Sequence, residues 1–586
     1  MRENDILFFN VHRQYLNTRP VYGGFLGIYL LAAFLNHNGY AAQGYDGSLV
    51  KGKQWIDKAC QEKKVRMIGL YCDYENVTEN IFLSRYVKEM YHLPVIIGGP
   101  QATAFDSDFL AASQCDAAVL YEGELTCVDL LDCLLDKLGN KSDIPGIVYL
   151  DNGRLKRNPL RPVIKNLDAL PFITQECYLE PRAVPELSLM TGRGCPFHCA
   201  FCHEGSHTRQ VRFRSVGNVL SEIDQFLAQC EEGRRPYILF TDDTFTLRTE
   251  RVKALCEGLR ERRKKKEFSW FCEGHVHTLY THPEMIHYIA DGGAQRIQLG
   301  IEAGTQEVLD AYRKGSTLDE IREVVRQCRD AGIKQVFSNI ILAGAYYDQD
   351  VYEKNLAFAK ELISLGKGCV EIGVVSYWPL PQTSMTLQPA RYGLKILDPD
   401  FLTACGDFPQ IETKDLSRWD IHVMVQSMQK ELRQHMIGML KRNEVPRKII
   451  DSWFENAAHR GAVGQWWFCL QSQPEIYNYY SMLRSGEDVT INEIKENPEN
   501  AHPMRVMAMD MMARVGDAET LMVGDCILKG IERFVLVLST GKLSVKGIIE
   551  YMKTHQMVQE KEDLEGIVYS TLQKLEQHHL IVYSRY

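Results

Sequence analysis

Thr191-Gly192-Arg193-Gly194-Cys195-Pro196-Phe197-His198-Cys199-Ala200-Phe201-Cys202-His203 is the stretch on which the reading of this chain turns. Seventeen cysteines are spread through 586 residues, and three of them fall here within eight positions. So dilute a set does not make a disulfide scaffold, and an odd number leaves one over in any fully paired scheme. Reduced thiols with a metal fit better. Three thiolates on one loop can bind three irons of a four-iron cluster and leave the fourth iron open to a substrate-like ligand. Zinc competes, because His198 or His203 could supply its fourth ligand.

Working outward, Leu187 to Thr191 reads as a strand that runs straight into the cysteines. Further strands are expected at Tyr237 to Thr241, Phe268 to Glu273, Arg296 to Ile301, Val336 to Leu342 and Val370 to Ser376, with helical sequence in each gap. Six such units predict a partial (β/α)6 barrel over residues 186–395, with its chemistry at the C-terminal strand ends. Upstream, Ile6 to Val11, Met67 to Tyr71, Val95 to Ile97 and Ala117 to Tyr121 alternate with helical patterns, the first at Leu26 to His37. That alternation predicts a parallel sheet with crossover helices, a doubly wound Rossmann-like domain over residues 1–150. Its strand ends carry small or polar turns: Gly23-Gly24, Tyr71-Cys72-Asp73, Gly98-Gly99-Pro100 and Tyr121-Glu122-Gly123-Glu124. In open parallel sheets the ligand crevice lies at such ends, although tight turning alone would equally account for the glycines.

Residues 151–185, rich in Pro, Arg and Asn, read as a linker. Residues 396–500 are mostly helical in pattern, including Ile421 to Lys441. Residues 501–586, with Phe534 to Leu538, Thr540-Gly541-Lys542, two helical patterns and Leu580 to Tyr583, read as a winged-helix-like module. The expected class is therefore α/β with a helical C-terminal region.

At about 150 residues per domain, the length implies roughly three or four units. Lys plus Arg number 67 against 76 Asp plus Glu, a net charge of −9, with 45% hydrophobic and 24% charged residues. This is ordinary globular usage, and it excludes wholesale disorder and bulk affinity for nucleic acid. The apolar stretch Leu26 to Leu35 is half as long as a membrane span, and Met1-Arg2-Glu3-Asn4-Asp5 leads into no signal-peptide core. A soluble cytoplasmic protein without membrane or nucleic-acid partners is expected. The basic run Arg262 to Lys266 has no interleaved aromatic residues and reads as a solvated turn.

The spacing Cys-x3-Cys-x2-Cys, with the aromatic Phe201 before the last cysteine, resembles the radical S-adenosylmethionine (SAM) family. The resemblance implies that Cys195, Cys199 and Cys202 hold one 4Fe–4S cluster. Its open iron would chelate the amino and carboxylate groups of SAM, and an electron from the cluster would release a 5′-deoxyadenosyl radical. Gly300-Ile301-Glu302-Ala303-Gly304 is similar to the family's strand-four motif, and Asp319 to Ala331 with Gly332-Ile333 to the helix leading into strand five. Phe240-Thr241-Asp242-Asp243-Thr244-Phe245 resembles the strand-two end, so Phe201, Asp242, Asp243 and Glu302 are the implied SAM contacts. Carboxylates suit the cationic ammonium of SAM. Capping of the next helix is the plainer role for either aspartate. The chain departs from many relatives at Ala343-Gly344-Ala345-Tyr346-Tyr347-Asp348, where they carry Gly-x-Pro-x-Glu, and the contacts there stay open. Tyr377 to Thr383 resembles the Pro-rich turn beside the adenine.

Gly23 to Leu35, Gly39-Tyr40, Ile97 to Thr103 and Glu122 to Thr126 together resemble the cobalamin-binding domain of cobalamin-dependent radical SAM enzymes. Tyr71, Gly98, Gly99, Gln101, Glu122 and Gly123 are the implied cobalamin contacts. The domain has no Asp-x-His-x-x-Gly loop; the nearest match, Asp420-Ile421-His422, lies in the helical region. No histidine axial ligand is expected, and His12 reads as a loop residue. Some proteins of this architecture have lost cobalamin.

The resemblance implies a methyltransferase that uses SAM twice, as methyl donor and as radical source, on an unactivated carbon of a metabolite, natural-product intermediate or peptide. An external electron donor such as flavodoxin or ferredoxin would serve it. The alternatives are a rearrangement, ring contraction or cyclisation without net methyl transfer, and, in another class, a SAM- or cobalamin-sensing regulator with the last module on DNA. Glu273, followed by His275 and His277, is the candidate catalytic residue, able to hold substrate or move a proton, with packing as the alternative. Cys405, Cys469 and Cys526 are too scattered for an auxiliary cluster. The terminal module weakly resembles leader-peptide-binding elements, and Trp466-Trp467 and Met504 to Met512 read as core.

Overall fold

The computed structural model describes residues 2–12, 26–180, 186–203, 210–230, 235–398, 408–458, 464–485, 491–505, 513–517, 519–523, 525–555, 557, 563–578 and 580–584. The Gly23-Gly24 turn, Cys405 and most of the Met504 to Met512 stretch lie outside the described residues.

Strands β1 (Asn4–His12), β2 (Ala42–Ser48), β3 (Val65–Tyr71), β4 (Val95–Gly98) and β5 (Ala117–Val119) form a parallel sheet in the order β2-β1-β3-β4-β5. Along β1, Leu7, Phe9 and Val11 enter one core while Ile6 and Phe8 enter another on the opposite face. Burial on both faces is why the strand is a continuous apolar run instead of an alternating one. β2 escapes that signal because it is an edge strand whose sequence, Ala42-Gln43-Gly44-Tyr45-Asp46-Gly47-Ser48, is polar and glycine-rich.

The sheet does not stop at residue 150. β6 (Ile147–Asp151) and β7 (Arg154–Arg157) add an antiparallel hairpin to β5, so the first part of the expected linker is a strand. Asn152 at φ 49° and Gly153 at φ 76° make the turn. Both central residues are left-handed, the condition for a two-residue type I′ hairpin, and Asn-Gly is its usual sequence.

The second sheet contains β8 (Glu186–Leu189), then, after the short antiparallel ribbon β9 (Gly192–Arg193) and β10 (Arg212–Phe213), β11 (Tyr237–Phe240), β12 (Ser269–Gly274), β13 (Ala294–Leu299), β14 (Gln335–Leu342) and β15 (Val370–Ser376). Its order follows the chain, β8-β11-β12-β13-β14-β15, with β8 through β14 paired in parallel. This is the six-unit partial barrel. Its helices follow the usual logic: Leu318–Asp330 opens on a capping box between Thr317 and Glu320 and buries Ile321, Val324, Val325 and Cys328 along one stripe.

The chain divides into two compact units, residues 1–362 with 372–429 and residues 363–371 with 430–586. The first sheet and, apart from Val370 and Glu371 of β15, the second sheet belong to the first unit. In the second unit Trp466 is buried, stacks on Trp453 at 5.7 Å and donates to the Val370 carbonyl at 2.7 Å. Nearer the C-terminus, His502–Arg505 pairs with Ile581–Ser584, and helices Glu532–Leu538, Val545–Thr554 and Leu564–Gln577 share a core through Val535, Ile548 and Leu572. The run Phe534 to Leu538 is thus helical.

Candidate active site

A cavity of about 410 Å³ opens at the C-terminal ends of β1, β3, β4 and β5, a volume within the range of ligand sites. Tyr71, Gly98, Gly99, Glu122 and Gly123 line it from the first sheet. Gly192, Arg193, Gly194 and Asp243 line it from the barrel. One wall therefore comes from each sheet. Gly99 is obligatory, since its φ is +107° and a Cβ would stand 2.4 Å from the Cys72 carbonyl oxygen. Gln101 does not reach the wall. It is 2% exposed, in the short turn Pro100–Ala104, and its Oε1 has no hydrogen-bond partner among the described residues. Among the described residues, His203 is the histidine on the wall, with Nδ1 2.8 Å from the Pro381 carbonyl oxygen. His12, the last residue of β1, is held by Asp46 at 2.7 Å, which raises its pKa above the usual range.

The cysteine loop is fastened where it leaves β8. Asp242 is buried and accepts the backbone N–H and hydroxyl of Thr191 and, at 3.2 Å, the N–H of Gly192. Burial pushes its pKa up to about 6 against the pull of those bonds. Asp242 is not on the cavity wall, and its oxygens accept three bonds from the root of the loop. Its neighbour Asp243 lines the cavity and accepts the Gly194 N–H at 3.0 Å. Further along, Ala200 N–H donates to the Tyr312 carbonyl at 2.8 Å and Cys202 N–H to the Cys199 carbonyl at 3.2 Å. Phe201 packs edge-on against Tyr312 at 5.1 Å, and Phe197 stacks on His275 at 3.7 Å.

These contacts present Cys195, Cys199 and Cys202 as half-buried thiols outside any disulfide. Burial raises the pKa of Cys195 and Cys199, while the Lys314 ammonium opposes it. Among the described residues no three His, Cys, Asp or Glu side chains converge on the volume of a single metal ion. Three accessible thiols on one loop are the donor set that a 4Fe–4S cluster with one open iron takes. The loop fits a cluster.

Behind it lie three charged groups. Lys314 Nζ is 3.0 Å from Glu302 Oε1 and 5.8 Å from the centre of the Phe201 ring. Glu302 has φ +65°, an unusual backbone state for a non-glycine residue. Glu273 is raised to about 7 by burial first and then by the charges of Asp243 and Glu302; Gln298 donates to it at 3.2 Å. His277 faces away, exposed, on Glu320. Lys314 escaped the sequence reading. The available signal was its place in the loop just before the Thr317 capping box, at the end of the strand-four unit.

Residues 189–353 match the family model described as the radical SAM superfamily. The chain carries a radical SAM domain. Over 294 residues the chain is 30% identical to an uncharacterized methyltransferase of Pyrococcus horikoshii, covering 49% of this chain and 60% of that protein. The chain spans 60%, 40% and 36% of the lengths of three curated relatives that it matches, less than two thirds of each. Among solved structures, the cobalamin-dependent SAM radical enzyme OxsB, with aqua-cobalamin and SAM bound, aligns with TM-score 0.58 at 18% identity, over 99% of this chain and 81% of its own. The radical SAM methyltransferase TsrM of Kitasatospora setae, with cobalamin and a 4Fe–4S cluster bound, aligns with TM-score 0.54 at 17% identity, over 69% and 78%. The radical SAM domain and the sheet before it thus share the fold of the cobalamin-dependent enzymes.

Proposed function

We propose that this chain is a cobalamin-dependent radical SAM methyltransferase acting on an unactivated carbon of a small molecule or peptide. The observation that carries the reading is the single cavity walled on one side by Gly98, Gly99 and Gly123 and on the other by Gly194 and Asp243, next to the cysteine loop. Cys195, Cys199 and Cys202 would hold the 4Fe–4S cluster. Asp243, with Phe201 and Glu302 nearby, would face SAM, and Tyr71, Gly98, Gly99 and Gly123 would face cobalamin without a histidine on cobalt. Bound there, these groups supply one-electron cleavage of SAM and delivery of a methyl group. The protein aligns them and excludes water.

Glu273, with a pKa near neutrality, can accept or donate a hydrogen bond to substrate at physiological pH. Among the described residues no helix is long and apolar enough to cross a membrane. We take the enzyme to work in the cytoplasm with an external one-electron donor such as flavodoxin or ferredoxin.

The test is an anaerobic incubation of reconstituted enzyme with deuteromethyl-labelled SAM, reductant and host extract, read by mass spectrometry. A product carrying the label on carbon, with deoxyadenosine and S-adenosylhomocysteine, is expected. Deoxyadenosine rising with extract and no labelled product would replace methylation by rearrangement or cyclisation.

A further inference from the structure

The base of the cysteine loop is the ribbon of β9 and β10, in which Arg193 lies directly opposite Arg212. Like charges in that position repel. Both side chains are largely withdrawn from water, 14% and 8% exposed, so solvent does little to screen them. The two-residue strands, Gly192-Arg193 and Arg212-Phe213, contain no carboxylate. The ribbon cannot close on its own charges.

The compensating groups come from the turn after β5 and the start of the helix Glu124–Leu135. Arg212 Nη2 donates to Glu122 Oε1 at 2.6 Å, and Arg193 Nη1 stands 3.5 Å from the same oxygen. Arg193 Nη2 pairs with Glu124. The second oxygen of Glu122 accepts the Ile164 N–H at 2.9 Å, and Arg212 Nη1 returns a bond to the Ile164 carbonyl at 2.7 Å. Two cations and two anions form a neutral, buried lattice. Losing one member strands the opposite charge in a poorly solvated place, so the lattice holds or fails as a unit.

Its position gives it a consequence. Arg193 stands two residues before Cys195, and Glu122 and Glu124 flank Gly123 on the cavity wall. We propose that Arg193, Arg212, Glu122 and Glu124 are positioning residues: they clamp the cluster-bearing loop to the turn after β5 and so set the register between the radical source and the opposite wall of the cavity. Glu122, expected as a cofactor contact, lines the cavity and is held there by the arginines. The catalytic consequence rests on the proposed function; the clamp itself does not.

The experiment uses the full chain with Glu124→Gln, on the sheet side and away from the cysteines, and Glu122→Asp as a second variant that keeps the charge and shortens its reach. The first readout is hydrogen exchange of amides 190–203. It should speed up by about tenfold in Glu124→Gln, with iron content per chain unchanged, as expected when a local clamp opens and the global fold survives. The second readout, on cofactor-loaded protein, is the electron-spin dipolar distance between reduced cluster and cob(II)alamin, which should broaden in both variants. The third is labelled product formed per deoxyadenosine, which should fall by about tenfold as alignment is lost while SAM cleavage continues. Unchanged exchange in folded Glu124→Gln overturns the clamp. Product and deoxyadenosine falling in step, with a wild-type distance distribution, overturns the positioning role. Wild-type protein that takes up no cobalamin would sink the functional reading, and the exchange measurement would still decide the clamp.

Discussion

Lys314 Nζ lies 3.0 Å from Glu302 Oε1, and both side chains are nearly closed off from water. Burial alone would lower the lysine pKa; the Glu302 charge, followed by the thiols of Cys199 and Cys202, holds it above its ordinary value. Lys314 therefore stays a cation beside the cysteine loop, its charge matched by Glu302, and it anchors that glutamate in left-handed backbone at the end of the β13 unit.

Lys314→Met leaves the Glu302 carboxylate without its cation and should cost about 3–5 kcal/mol. Adding Glu302→Gln should recover a large part of that loss. Urea denaturation of the wild type, both single variants and the double variant measures the coupling; additive losses would show that the pair does not interact.

Glu273 makes stability depend on pH. Its carboxyl rises from an ordinary 4.5 to about 7 in the folded chain. Between those values the folded state keeps a proton that the unfolded chain has released, so stability falls as pH climbs through this window and levels off above it. The full effect is about 3 kcal/mol. Glu273→Gln should therefore be more stable than wild type at pH 8 and close to it at pH 4.5. Denaturation midpoints with the same difference at both pH values would refute the assignment.

Asp242→Ala removes the acceptor for two N–H groups and one hydroxyl at the root of the cysteine loop. Bonds to a charged acceptor contribute about 1.5–3 kcal/mol each, so a loss of about 3 kcal/mol or more is expected. Iron and sulfide content after reconstitution should drop as well, because the loop loses its root. Wild-type cluster content in this variant would show that the loop is held by other means.

Gly344 touches the barrel lining so closely that an added Cβ would sit 1.7 Å from the Tyr312 hydroxyl oxygen. Gly344→Ala should be destabilised by about 1–3 kcal/mol through overpacking. Tyr312→Phe in the same chain should relieve part of that cost, and thermal melts of the four proteins check it.

The strands of both sheets could be read from the sequence where burial dictated composition. β15 was expected at Val370 to Ser376 and lies there, because a strand buried in a parallel sheet is marked by its apolar run. β2 and β7 carried no such mark. One is a polar edge strand and the other four exposed residues, Arg154-Leu155-Lys156-Arg157, although the Asn152-Gly153 turn was a usable hairpin signal. At the site, Gly98, Gly99, Tyr71 and Gly123 reach the cavity as their strand-end positions implied. Gln101 and Asp242 stand off the cavity wall, because a side chain's direction depends on neighbours far away in sequence, whereas Glu122 is on the wall and also holds Arg212.

By itself the sequence determined the buried strands and their order, the three cysteines on one loop and the glycine at residue 99, since each depends on local backbone geometry or on spacing along the chain. Tertiary structure alone decided which carboxylates are available to a ligand. Asp242 and Asp243 are adjacent and chemically identical, yet one binds Thr191 and the other lines the cavity. Arg193 and Arg212 meet only when the ribbon closes, and they find their counter-charges in the turn after β5 and at the start of the helix Glu124–Leu135. Charge pairing acts through space over a few ångströms, and no spacing in a linear sequence records it.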